Sequence, residues 1–271
     1  MKAPIKYFGG KGNMYKNIIE HFPNNNSYDT YIEPFGGSYS IGLNMCPPAK
    51  IEIYNDIENN VYSLYKVLSD ESLFKIFKDK IDLVPYSEKI REEFKKYLKE
   101  RELTILERAF YYFYVNRTSH NGSGGFSMNT YIRRNMSKSV SDYLSVIDRL
   151  PELHNRLSRV IISNTDGIKL IEKHNNSNTL IYCDPPYEQS TRTNARYKED
   201  MNREEHIKFL DVVMKSNSKI IISGYDCELY KILEKNGFTK INFDVKTISG
   251  NFESKTKVET LWKNYWEYYL K

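Results

Sequence analysis

The residues most capable of chemistry lie in the stretch 180–187, Leu-Ile-Tyr-Cys-Asp-Pro-Pro-Tyr. A run of buried-strand character leads up to Asp184, and Pro185 and Pro186 follow it. Neither proline can donate to a sheet ladder and each fixes its own φ, so the strand must end in a stiff, extended corner. Pro185 also steers Asp184 away from the helical region. The corner therefore offers a carboxylate, rigid backbone carbonyls and the ring of Tyr187. In an open α/β sheet, ligands bind at the carboxyl ends of the strands. A fixed pair of acceptors beside an aromatic ring suits a planar group that donates hydrogen bonds, such as the exocyclic amine of a nucleobase. A solvated aspartate at an ordinary strand end is the plainer alternative for the dipeptide alone; the whole octet favours a site.

Other stretches would bring further groups to the same edge of a sheet. Residues 30–33 predict a short strand, followed by Pro34-Phe35-Gly36-Gly37-Ser38 and a helix of about two turns ending at Met45. Strand, glycine turn and helix form the first crossover of a Rossmann-like fold, where glycines admit a nucleotide-bearing ligand close to the backbone. The Gly-x-Gly-x-x-Gly spacing of dinucleotide enzymes is absent, which argues against a dehydrogenase. The next strand, 50–55, leads to Asp56, about 20 residues past the turn, where such folds place the acid that holds ribose hydroxyls. Asp56 could instead cap a helix over 61–68, and the two roles are compatible. At the N-terminus, Lys6-Tyr7-Phe8-Gly9-Gly10-Lys11-Gly12-Asn13 precedes a helix over 14–22 with Asn13 as its N-cap. Lys11 could neutralise a carboxylate or phosphate, with a flexible leader as the plainer alternative; the P-loop spacing is missing, which argues against an ATPase. A strand over 160–163 is followed by Asp166, which is either an acid at the ligand edge or the N-cap of a helix over 167–173.

Between these flanks, residues 61–157 lose the strand–glycine–helix rhythm and become mainly helical, with helices expected over 61–68, 71–81, 87–99 and 104–116. Thr104 and Glu107 form a capping-box pattern. Phe110, Tyr111, Phe113 and Tyr114 are expected in a core rather than in a cofactor box. The following segment has a different character. No Asp or Glu occurs between Arg108 and Ser141, whereas Arg117, Arg133, Arg134 and Lys138 are basic. It contains Asn116-Arg117-Thr118-Ser119-His120-Asn121-Gly122-Ser123-Gly124-Gly125-Phe126, too long for a simple turn. A basic loop with Asn, Ser and His donors suits phosphate contacts and base-edge readout; the alternative is a solvated loop. Helices over 139–150 and 151–157 lead back to the flanking fold. Past the corner, 188–200 carries Arg192 in a polar run expected to close over a substrate with Arg192 near phosphate. A helix over 202–216, a strand over 219–223, a helix over 227–236 capped by Gly237 and an antiparallel pair over 239–248 and 258–265 complete the chain.

At 271 residues the chain suffices for one large domain, or one domain carrying an insertion. No apolar run approaches the ~20 residues of a membrane helix, and the start is no signal peptide, so the expectation is a cytoplasmic protein that needs no membrane. Cys46, Cys183 and Cys227 are sparse and widely separated, which predicts neither a disulfide framework nor a metal site. A net charge of +5 permits a polyanionic partner without requiring one.

Taken together, Lys-Tyr-Phe-Gly-Gly-Lys, Glu-Pro-Phe-Gly-Gly, a strand-end Asp and Asp-Pro-Pro-Tyr resemble, in that order and over nearly the whole chain, the Dam-like family of adenine-specific DNA methyltransferases. The resemblance implies an α/β fold: a Rossmann-like methyltransferase sheet with a C-terminal antiparallel hairpin, carried by residues 1–60 and 156–271. It implies a helical target-recognition domain inserted over 61–155. It further implies S-adenosylmethionine as cofactor and duplex DNA as partner, with one adenine flipped out and methylated on N6, in a bacterial or phage-encoded enzyme of the restriction-modification kind. By matching positions, Tyr7 and Lys11 contact the cofactor, Glu33, Pro34, Phe35, Gly36, Gly37 and Ser38 wrap its methionine end, Asp56 holds the ribose, and Asp166 lies near its adenine. Asp184, Pro185, Pro186 and Tyr187 form the catalytic corner, with Asp184 also at the cofactor. Arg117, Ser119, His120, Asn121, Ser123, Arg133, Arg134, Lys138 and Arg192 are the DNA-binding candidates, His120 standing where relatives place a wedge for base flipping. Ser123-Gly124-Gly125-Phe126 departs from members that read GATC, which carry an arginine near this point.

Overall fold

Two segments of apolar alternation, one early and one late in the chain, come together in a single sheet. The computed structural model describes residues 1–7, 9–187, 201–248 and 254–266; for 245–248 and 254–257 it describes the backbone alone. In chain order the elements are α1 (Tyr15–Ile19), β1 (Thr30–Glu33), β2 (Ile51–Asn55), α2 (Asn59–Ser69), α3 (Glu71–Asp82), α4 (Glu88–Glu100), α5 (Ile105–Thr118), β3 (Ile132–Arg133), β4 (Met136–Ser137), α6 (Lys138–Ile147), α7 (Leu150–Leu157), β5 (Val160–Ser163), α8 (Gly167–Lys173), β6 (Thr179–Cys183), α9 (Arg203–Met214), β7 (Lys219–Gly224), α10 (Lys231–Lys235), β8 (Thr239–Ile248) and β9 (Ser254–Lys263). They fall into two compact units. One comprises residues 1–12, 37–44 and 58–164; the other comprises 13–36, 45–57 and 165–271. No described helix is long and apolar enough to cross a membrane.

The second unit is an α/β sheet in the order β2-β1-β6-β7-β9-β8. β1 runs parallel to β2 and to β6, and β6 runs parallel to β7. β9 is antiparallel to both β7 and β8, so the C-terminal hairpin closes a sheet that is otherwise parallel. Every residue of β6 is buried, as expected of a central parallel strand covered on both faces. Ile32, Ile53, Ile181, Cys183, Ile220, Ile222 and Trp262 of the sheet pack with Ile168, Ile171, Phe209, Leu210 and Val213 of α8 and α9. The chain leaves β1 for a strand on one side and β6 for a strand on the other. Such a reversal of strand order opens a crevice at the carboxyl ends.

The first unit is helical. Val61, Leu64 and Leu68 of α2, Phe77 of α3, and Ala109 and Phe113 of α5 are all within 1 % of complete burial. Phe77 meets Phe110 and Phe113 edge to face, and Tyr114 meets Tyr143 in the same way. Thr104 and Glu107 form the expected capping box. Residues 132–137 form a small hairpin, β3–β4, whose turn residues Arg134 and Asn135 both have positive φ. That is the I′ geometry matching the twist of two-residue hairpins.

Several local expectations are corrected. The helix expected after the glycine turn is only a 3-10 turn, Gly42–Asn44. Tyr39 adopts φ 54°, a left-handed conformation that interrupts a right-handed helix. α1 is five residues long, preceded by Met14 rather than capped by Asn13. The helix expected over 227–236 is a 3-10 turn, Glu228–Tyr230, followed by α10. Asp56 does not cap α2. Glu58 does, accepting from the N–H groups of Asn60 and Val61.

Candidate active site and nucleic-acid interface

The corner after β6 is held by hydrogen bonds to side chains of β7 and β9. The Ser223 hydroxyl of β7 donates to Asp184 Oδ1 at 2.8 Å. Because a carboxylate only accepts, Ser223 Oγ must in turn accept from the Tyr182 hydroxyl, 2.9 Å away. The relay Tyr182–Ser223–Asp184 fixes the plane of the carboxylate. Pro185 is buried beside it. Tyr187 donates its hydroxyl to Glu259 of β9, a carboxylate only 5 % exposed. Its ring meets Tyr225 edge to face at 4.7 Å. Burial first, then the Asp184 and Glu259 charges, push the Tyr187 phenol well above its ordinary range, so it remains neutral. Burial likewise raises the Cys183 thiol, which leaves no thiolate nucleophile at this position.

Asn55, the last residue of β2 and completely buried, ties the turn after β1 to the chain ahead of α8. Its Nδ2 donates to the carbonyls of Pro34 at 2.8 Å and Thr165 at 2.9 Å. Its Oδ1 accepts from the Thr165 N–H at 2.9 Å and the Thr165 hydroxyl at 3.2 Å. One amide thus fixes the turn after Glu33, the start of Asp56 and the approach to Asp166. Glu33 and Asp56 are buried carboxylates, and Tyr31 donates to Glu33 at 2.7 Å. Gly36 donates its N–H to the Asn55 carbonyl at 2.7 Å. Asp166 acts as the N-cap of α8, accepting from Ile168 and Lys169, and so fulfils one of the two roles open to it. Phe35 is held edge to face against Phe209.

In the helical unit, Gly37 has φ 48°, and a Cβ there would lie 2.7 Å from the Tyr7 ring. Both conditions require glycine. Lys11 is 5 % exposed, its Nζ donating to the Gly9 carbonyl at 3.2 Å. The Ser38 carbonyl accepts from Tyr65 at 2.6 Å.

The loop after α5 is more ordered than its glycine content suggests. Ser119 bridges to Phe126, and the His120 N–H donates to the Gly125 carbonyl at 2.8 Å. Arg91 of α4, only 2 % exposed, donates Nε and Nη2 to Ser119 Oγ and Nη2 to the Gly124 carbonyl. Ser119 is therefore a buried support for the loop, not an accessible donor. His120, Asn121 and Ser123 are exposed, as are Arg133 and Arg134 on the β3–β4 hairpin. Arg117 is mostly enclosed. Burial, with Arg149 nearby, lowers its pKa to about 10. Arg133 and Lys138 share the Asp142 carboxylate, the first acid after the acid-free stretch. Arg192 lies outside the described residues.

The structure also identifies residues that the sequence did not single out. Ser223, Tyr225 and Glu259 support the corner, and a polar end to an apolar strand was the available signal for the first two. Tyr131 and Ile132, exposed by 79 % and 83 %, stand beside Arg133 and Arg134. Exposed apolar side chains among arginines are a signal of a binding surface.

The chain is similar to several known methyltransferases. The chain is 25 % identical over 230 residues to the type II methyltransferase M.FokI of Planomicrobium okeanokoites, which covers 81 % of the chain. It is 23 % identical over 228 residues to the type II methyltransferase M.CviBI of Paramecium bursaria Chlorella virus NC1A, covering 82 % of each. It is 24 % identical to the modification methylase StsI of Streptococcus sanguinis over 98 % of the chain. The match spans 34 % of M.FokI and 43 % of StsI, so the chain corresponds to a part of those longer proteins. A family model for D12 class N6 adenine-specific DNA methyltransferases matches residues 7–248. The chain belongs to the D12 class N6 adenine-specific DNA methyltransferase family.

Proposed function

We propose that this chain transfers a methyl group from S-adenosylmethionine to the N6 amine of an adenine in DNA. The observation that carries the reading is the carboxylate of Asp184, oriented by Ser223 at the end of a buried parallel strand and followed directly by Pro185, Pro186 and Tyr187. The N6 lone pair is delocalised into the adenine ring and is a poor nucleophile. Asp184 and the Pro185 carbonyl would each accept one N6–H bond, favouring a tetrahedral nitrogen whose lone pair is released from the ring. This is electrostatic stabilisation combined with alignment, and it needs no covalent enzyme intermediate. Nitrogen would gain the methyl carbon as the donor's sulfur–methyl bond breaks and leaves a neutral thioether, and it would lose a proton toward Asp184 or solvent.

The residues present suit the cofactor by their chemistry. Glu33 and Asp56 are buried acceptors for ammonium or hydroxyl groups, and the Gly36–Gly37 turn brings backbone close to a ligand. Asp184, Glu33 and Glu259 all act on the Tyr182 phenol, whose range burial and these charges raise. An edge this acidic favours a cation, and S-adenosylmethionine when bound supplies a methyl group on a sulfonium cation. Tyr7, Lys11, Pro34, Phe35, Ser38 and Asp166 are the remaining cofactor positions of this reading.

An adenine inside a duplex is out of reach, so the base must leave the stack and rest on a platform, the role given to Tyr187. The helical segment 61–155 would recognise DNA. His120, Asn121 and Ser123 supply contacts on the loop, Arg117, Arg133, Arg134, Lys138 and Arg192 supply positive charge, and Tyr131 supplies an exposed ring. Asp184→Ala tests the reading with labelled methyl donor and mixed duplex DNA. Label in N6-methyladenine should fall by about 10²–10³-fold or more, on the scale of losing a transition-state acceptor, while DNA binding persists. Near-normal turnover in the variant overturns the mechanism.

A further inference from the structure

The segment carrying Tyr7 and Lys11 is joined to the loop carrying His120 and Asn121 through the side chains of Asn116 and Lys6. Asn116 of α5, 3 % exposed, pairs with Lys6 as one β-strand pairs with another. The Lys6 N–H donates to Asn116 Oδ1 at 2.8 Å, and Asn116 Nδ2 donates to the Lys6 carbonyl at 2.8 Å. Nδ2 also reaches the Gly122 carbonyl at 3.4 Å. The Lys6 ammonium is turned inward, donating to the carbonyls of Ser119 at 2.7 Å and Arg117 at 3.2 Å. Gly122 closes the contact. Its φ is 88°, and a Cβ there would lie 2.4 Å from the Lys6 carbonyl oxygen. No side chain can be inserted between the two segments without moving one of them.

Lys6 is an unusual residue for this position. Burial and the Arg117 charge lower its pKa to about 8, so a charged group is held where its charge is disfavoured. A lysine serving solubility would face water. This one satisfies carbonyls at the base of the loop, while Arg91 secures the far side through Ser119 and Gly124.

We propose that Lys6 and Asn116 are positioning residues that couple the methyl-donor segment to the DNA loop, so that each ligand tightens the binding of the other. The proposal rests on the function given above, in which Tyr7 and Lys11 serve the donor and the loop serves DNA. A ligand that orders either segment orders its partner through the Lys6–Asn116 pairing, and the second ligand then has less ordering to impose. Linkage requires the two effects to be equal: the donor tightens DNA by the same factor by which DNA tightens the donor.

The test uses the full chain, a mixed-sequence duplex pool, and S-adenosylhomocysteine as a donor analogue that cannot react. DNA affinity is measured by anisotropy with and without saturating analogue, and analogue affinity by calorimetry with and without saturating DNA. The wild type should show equal mutual tightening within the roughly 5–150-fold range of such couplings. Asn116→Ala, which loosens the loop, should weaken DNA binding alone, leave analogue affinity alone close to wild type, and bring the coupling factor near one. Lys6→Met keeps the backbone pairing but removes the ammonium contacts, and should give an intermediate factor; it also serves if Asn116→Ala does not fold. Mutual tightening that survives both substitutions, or binding of both ligands by the wild type without tightening, overturns the coupling alone. Failure of the wild type to bind either ligand overturns the functional reading and the coupling with it.

Discussion

The strand-end corner of the sheet unit and the loop of the helical unit use buried polar groups in opposite ways. At the corner, the groups assigned to chemistry are themselves part of the packed network. Asp184 accepts from Ser223, Tyr187 donates to Glu259, and Asn55 holds the segments leading to Asp56 and Asp166. In the loop, the packed polar groups lie beneath the surface. Arg91, Asn116 and Ser119 fix the backbone, while His120, Asn121 and Ser123 project outward from it. Chemistry demands that the reacting groups be held, because an acceptor that must reorganise loses its electrostatic advantage. Recognition demands that the backbone be held and the side chains remain accessible.

Removing Asn55 would break that contrast most severely. Asn55→Ala deletes four hydrogen bonds in a fully buried place and leaves the Thr165 N–H and the Pro34 carbonyl to find other partners. At about 1–3 kcal/mol for each buried polar group left unsatisfied, a loss on the order of 3 kcal/mol is expected in chemical denaturation. Donor affinity should fall with it, because the turn after Glu33 and the approach to Asp166 are released together. A variant with wild-type stability and donor affinity would show that the strand ends are not organised through this amide.

The two regions also differ in how much of them the sequence disclosed. Asp184 to Tyr187, the Gly36–Gly37 turn and Asp56 were readable because each depends on local covalent chemistry: prolines that stop a strand, glycines that permit a turn, an acid at a strand end. The strand spans of β1, β5, β6 and β8, and the capping box of α5, followed from short-range patterns for the same reason. The supports were not readable. Ser223 reaches the corner through the pairing of β6 with β7, Glu259 through that of β7 with β9, and Arg91 reaches Ser119 across 28 residues. Ser119 illustrates the limit most clearly. Its polarity suggested a DNA contact, but its burial depends on a helix that the local sequence does not name. The helix expected after Gly37 failed because a left-handed residue at Tyr39 interrupts it, a conformation that tyrosine rarely adopts and that sequence patterns do not forecast.

A milder substitution sharpens the account of the corner. Ser223→Ala removes the donor that orients Asp184 but leaves the carboxylate in place. A hydrogen bond to a charged group is worth about 1.5–3 kcal/mol, and only the part that differs between ground and transition state reaches the rate. A fall in kcat of about tenfold is expected, equivalent to about 1.4 kcal/mol. Affinities for donor and DNA should be unchanged, and Ser223→Thr should restore part of the rate. An equal fall in donor affinity would mean that Ser223 acts by stabilising the sheet rather than by aiming the acceptor.

The loop side yields the smallest effect, and it separates charge from contact. Arg133 is exposed on the β3–β4 hairpin, where it already shares Asp142 with Lys138. Arg133→Gln removes one positive charge and leaves Asp142 to neutralise Lys138 alone, so the local net charge falls by the full unit. DNA binding should weaken evenly across sequences, and the slope of log affinity against log salt should become shallower by about one unit at most. Tyr131, two residues away and largely exposed, carries no charge. If its ring stacks on bases, Tyr131→Ala weakens binding by about 1–3 kcal/mol while the salt slope stays the same. Should both substitutions shift the slope alike, the hairpin contributes only a charged surface. Should neither weaken binding, DNA contact is confined to the loop that Arg91 and Asn116 support.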